Sequence, residues 1–117
     1  MKIADMGDMD SHKAGRTVAV CRGWHYMDGY RWDGNEDFKF RYIYHYGSLM
    51  AVITRTEHEG VTCDGFVPQG VGHGSVSDQN GMNRITQRLG VPMRYRRDGG
   101  DPRYEDWFGG QTYEGGE

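Results

Sequence analysis

The stretch GHGSVSDQNGMNRITQRLGVPMRYRR, Gly72–Arg97, decides the fold. Ser75 stands three residues ahead of Asp78, the spacing of a capping box, and Ser77 offers a second hydroxyl at the same helix start. Met82, Ile85 and Leu89 then recur at i, i+3 and i+7, one apolar stripe along a helix. Gly90 supplies a C-cap and Pro92 stops continuation. Gly81 costs such a helix about 1 kcal/mol relative to alanine, so packing has to hold it. The pattern predicts a helix over 78–89 and a strand over 92–97.

Working outward, the preceding sequence is strand-like. Phe38, Phe40, Tyr42, Tyr44 and Tyr46 alternate with Lys39, Arg41, Ile43 and His45, the clearest period of two in the chain. The hydropathy of this alternation predicts Phe38, Phe40 and Tyr42 on the core face of a sheet. Gly47-Ser48 fits a type II′ turn, and the return strand runs from Leu49 to Thr56. Glu57–Gly60 reads as a turn and Val61–Val67 as a further short strand. Upstream, Thr17–Arg22 is β-branched and strand-like. Asp28-Gly29 reads as a two-residue hairpin turn inside WHYMDGYRW, because both central residues of a type I′ turn need positive φ. Residues 33–37 form a loop. Tyr104–Phe108 reads as a last short strand. Several strands, one helix and two strands, in that order, predict an α+β fold. The expected architecture is a mostly antiparallel sheet with one principal helix packed on one face.

The 117 residues suit one domain with a modest core. The expected organisation is a flexible lead over 1–16, a single α+β domain over 17–108 and a Gly-rich acidic tail over 109–117. Mean hydropathy is −0.84, and no apolar run approaches the length of a membrane span. Residues 1–16 have no apolar core of a signal peptide, so the expected location is the cytoplasm of a host cell. Net charge is −3, distributed unevenly. Residues 98–117 carry a net −5 and residues 17–97 a net +2, which argues against a mimic of DNA and leaves room for a local anion-binding face.

A resemblance enters at this point. His45-Tyr46-Gly47-Ser48-Leu49-Met50-Ala51, the Gly-rich turn Gly72–Ser77, the triplet-bearing helix Met82-Asn83-Arg84-Ile85, Met93–Arg97 and Glu105-Asp106-Trp107 together resemble a loose pattern. It is the pattern of small bacteriophage-encoded accessory proteins of unknown function, and it spans roughly residues 42–108. The resemblance implies a phage accessory protein and no particular activity.

The chemistry-bearing residues are weighed on spacing. His12, His25, His45, His58 and His73 show no metal-ligand spacing, and Cys21 and Cys63 form no CxxC, so no metal and no cofactor is expected. The glycines before Ser75 make a conceivable phosphate cradle but match neither nucleotide-binding motif. Ser75, Ser77, His73 and Asp78 lie too close in sequence for a hydrolase triad, and no catalytic residue is assigned. Arginines are the stronger candidates. Between Gln79 and Arg97 there are five and no acid. Asn80, Asn83, Arg84, Gln87, Arg88, Arg94 and Arg96 are therefore assigned to a partner-binding face. Tyr44 and Tyr46 are candidates for stacking on bases.

The expected function is a non-catalytic phage accessory or host-interaction protein that binds a macromolecular partner. A host or phage protein is the leading partner, and inhibition of a host defence system is one such role. A small nucleic-acid-binding module using the arginines with the aromatics is the alternative, and a structural subunit of a viral assembly is another. No membrane partner is expected.

Overall fold

The computed structural model describes residues 1–106; the expected tail over 109–117 and the Trp107-Phe108 end of the last strand lie outside the described residues. Five strands form an antiparallel meander in chain order: β1 (Thr17–Cys21), β2 (Trp24–Tyr30), β3 (Phe38–His45), β4 (Ser48–His58) and β5 (Val61–Pro68). The single α-helix among the described residues, α1 (Val76–Leu89), packs on one face of this sheet. A separate two-stranded ribbon follows, β6 (Met93–Arg96) and β7 (Arg103–Asp106). The α+β class with one principal helix is as the sequence predicts. No helix among the described residues is long and apolar enough to cross a membrane.

Turn chemistry sets the meander. The three tight hairpins turn on Arg22-Gly23, Tyr46-Gly47 and Glu59-Gly60, and both residues of each pair have positive φ. That is type I′ geometry, whose twist matches the strands it joins. The Tyr46-Gly47 turn therefore falls one residue earlier than the expected Gly47-Ser48, and its type is different. Asp28-Gly29 is not a turn at all. Both residues lie inside β2, paired with Arg41 and Phe40 of β3. A glycine suits position 29 of the strand because the Phe40 ring lies over it, where a Cβ would come within 2.7 Å of the ring. Asp28 is turned inward to meet a buried cation.

The phase of β3 is the reverse of the hydropathic expectation. Arg41, Ile43 and His45 are buried, while Phe38, Phe40, Tyr42 and Tyr44 are half-buried on the other face. The core consists of Trp24, Tyr26, Ile43, Met50, Ala51, Ile53, Met82, Ile85 and Tyr95, with Met6 and Met9. The last two correct the expected flexible lead. Residues Ile3–Gly7 and Met9–Ser11 form two short 3-10 helices that cover the inner face beside α1. Arg41 ties them down, donating to the carbonyls of Met6 at 3.0 Å and Asp8 at 3.2 Å.

The helix forms for the reasons its sequence states. Ser75 Oγ accepts from Asp78 N at 3.0 Å, and Gly90 ends the helix at φ 82°. Gly81 has a packing reason. The Trp24 indole lies against the helix there, and a Cβ at position 81 would overlap the ring. Gly81→Ala gains about 1 kcal/mol of helix propensity but overpacks a buried site, which typically costs about 1–3 kcal/mol. The expected result is a lower urea midpoint; a midpoint at or above the parent's would show that Trp24 moves aside freely.

Candidate functional site

Two surfaces and one buried cluster stand out. The cluster centres on Asp78, whose side chain is buried at the first turn of α1. Asp78 Oδ1 lies 2.6 Å from His45 Nδ1, and Oδ2 accepts from the N–H groups of His73 and Ser75 and from the Ser75 hydroxyl, each at 3.0 Å. Burial acts to raise the Asp78 pKa, but the hydrogen bonds from Ser75, His45 and His73 outweigh it and hold the carboxyl below its ordinary value. With a carboxylate accepting at Nδ1, that nitrogen carries a proton. The His45 ring stacks on Trp24 at 3.9 Å between centroids and meets Tyr46 at 4.6 Å. Its Nε2 is buried without a hydrogen-bond partner among the described residues. The cluster locks β3, the glycine turn and α1 together. Ser75 and Asp78, two members of the superficial hydrolase grouping, are engaged in capping.

The expected basic face is divided by its own ion pairs. Arg88 pairs with Asp5 and Asp8 of the N-terminal segment at 3.5 and 3.1 Å. Arg94 and Arg96 both reach Glu105 across the ribbon, at 3.6 and 3.3 Å. Asn83 is a strand partner in disguise: its Oδ1 accepts from Tyr95 N at 2.7 Å and its Nδ2 donates to Tyr95 O at 3.1 Å. Gln87 lines a small hollow with Asn83, Met93 and Arg94. Arg97, which lies beyond the assigned set, donates through Nε to Gly74 O.

Arg84 and Asn80 remain, and they join residues that sequence reasoning missed. Two adjoining hollows share Ile3, Arg22 and Arg84. One adds Lys2 and Cys21, the other Ser77, Asn80 and Gly81. Lys2, Arg22 and Arg84 thus come from the N-terminal segment, the β1–β2 turn and α1 to line one groove. Among the described residues their side chains make no ion pair with an acid. A sequence signal existed only for Arg84; Arg22 depends on a turn that the sequence places elsewhere.

The second surface is the face of the sheet opposite α1. The register puts Met27 of β2, Phe40, Tyr42 and Tyr44 of β3, Val52 of β4 and Val67 of β5 on it together. Tyr44 stacks on His25 at 4.9 Å, and Phe40 meets Tyr42 edge-on at 5.0 Å. Tyr46, the other stacking candidate, lies in the β3–β4 turn, 63% exposed and apart from this face.

Among the described residues no group of His, Cys, Asp and Glu is arranged to hold a metal ion. Cys21 and Cys63 are free and exposed, on the two edge strands of the sheet. The chain matches no protein-family model, no curated protein and no solved structure.

Proposed function

We propose that the protein is a non-catalytic accessory protein, of the phage type its sequence resembles, that grips an acidic patch on a partner protein through the Lys2–Arg22–Arg84 groove. One observation carries the reading. Three cations from three separate chain segments line one groove, whereas Arg88, Arg94, Arg96 and Arg103 all have acidic partners. Unpaired cations gathered in a concave site attract an anionic surface and set association rate and specificity. Asn80 adds an uncharged donor and acceptor at the rim. Inhibition of a host defence protein is one role such a surface serves.

A protein partner fits better than nucleic acid. Nucleic-acid affinity rests on many phosphate contacts, about 6–10 for a strongly salt-dependent binder. The groove offers three cations on a chain of net charge −3.

The test is Arg22→Ala with Arg84→Ala, used as bait beside the parent in host lysate. Both side chains are exposed, so the melting temperature should hold while the partner is lost. Retention of every partner sinks the groove. A mixed oligonucleotide serves as the second probe. If the parent binds it and the double variant lowers the salt slope by about two units, the partner is nucleic acid instead.

A further inference from the structure

We infer that the open face of the five-stranded sheet packs against the same face of a second copy of this chain, giving a two-fold sheet-on-sheet dimer. Among the described residues the face has no layer of its own. Its residues Phe40, Tyr42, Tyr44 and Val52 are absent from the core cluster, and Met27 and Val67 are exposed at 37% and 44%. An uncovered apolar patch of this breadth marks an interaction site.

Charge selects the occupant. Following the register across all five strands, no Asp, Glu, Lys or Arg of a strand projects from this face. The charged residues of β3 and β4, Lys39, Arg41, Arg55 and Glu57, all fall on the helix-side phase of the register, where Arg41 meets Asp28 and Arg55 meets Asp64. A stacking platform for single-stranded nucleic acid needs cations to follow the backbone, and this one has none within the strands. A two-fold axis sets each residue against a symmetry mate of the same surface, so a charged patch repels itself. An uncharged one does not.

Shape and area agree. Gly29 lies under the Phe40 ring, and a Cβ on Gly65 would come within 2.8 Å of Thr54 Oγ1, so the side chains of neighbouring strands lie across both glycines. Five strands about 4.8 Å apart, each crossed over about seven residues of 3.3 Å, project to about 550 Å² per copy. The pair then buries upward of about 1,100 Å², which clears the roughly 1,000 Å² that a specific interface needs. Two such faces pack as the layers of a sandwich, about 10 Å apart.

The experiment is sedimentation of the full chain from about 1 μM to about 100 μM, a range that brackets a micromolar dissociation constant. The parent should rise from 13.4 kDa to twice that mass. Tyr42→Lys and Thr54→Lys each place a charge on the face and should hold the chain at the monomer mass throughout. Melting at the lowest concentration checks that each variant is folded; if Tyr42→Lys is not, Thr54→Lys decides alone. Arg84→Ala should dimerise like the parent, which separates this surface from the groove. A parent that stays monomeric at the top concentration overturns the inference. So does a dimer that survives in a folded lysine variant. Oligonucleotide binding to a monomeric parent that Tyr42→Lys alters overturns it in favour of a stacking surface.

Discussion

Asp28→Ala should cost the domain a large part of its stability. Arg41 is fully buried, and its guanidinium grips Asp28 in a fork, with Nε to Oδ1 at 2.6 Å and Nη2 to Oδ2 at 2.9 Å. The Tyr26 ring lies 4.2 Å beneath the guanidinium carbon. Replacing such a pair by apolar groups is often neutral, but removing one partner strands a charge and costs about 3–5 kcal/mol. Domains have about 5–15 kcal/mol in all, so this one loss is a large fraction of the total and a sharply lower urea midpoint is expected. Arg41 also holds the Met6 and Asp8 carbonyls, and the damage should spread to the N-terminal segment. The control is Asp28→Ala with Arg41→Met. Urea midpoints should show the double variant more stable than the single one. Equal midpoints would mean that the stranded charge is not the cause.

This pair also shows where the sequence was silent. The helix was legible because all its signals are local: Ser75 and Asp78 at capping distance, three apolar residues at helical spacing, Gly90 at the end. The alternation in β3 was equally plain, yet a period of two fixes two faces without saying which is inside. Hydropathy favours the aromatics. The structure buries Arg41 and His45 instead, because each finds a carboxylate from a distant segment, Asp28 and Asp78. Partner assignment is a tertiary fact. Asp28-Gly29 carries the local signature of a hairpin turn, and a turn aspartate has no reason to face the core. The groove was half legible for the same reason. Arg84 and Asn80 lie on the readable helix, while Arg22 and Lys2 arrive through a hairpin turn and a packed N-terminus that no local pattern announces.

The second large effect should come from Asp78, and its pH dependence distinguishes it from a simple cap. Losing an ordinary N-cap interaction costs about 1 kcal/mol. Asp78→Ala goes further, because His45 Nδ1 loses its acceptor in a buried place and the His73 and Ser75 N–H groups and the Ser75 hydroxyl lose theirs in a half-buried one. Each unsatisfied buried donor costs about 1–3 kcal/mol, so a total loss of about 3 kcal/mol or more is expected. Asp78→Asn keeps the shape but offers an NH₂ where one of two donor sets needs an oxygen. If the amide nitrogen faces His45, the imidazole can shift its proton to Nε2 and accept. The milder variant should therefore lie between parent and alanine. The parent's pH profile follows from the lowered carboxyl. A group whose folded pKa lies below its unfolded value of 3.8 contributes stability that is complete above that value and is lost as the pH falls through the folded one. Acidification below about pH 4 should thus remove stability from the parent, and the parent-minus-Asn difference should shrink over that window. Urea midpoints at neutral pH and at successively lower pH measure both. If the two proteins lose stability in parallel on acidification, Asp78 is not the group that titrates, and the lock between β3 and the helix owes nothing to its charge.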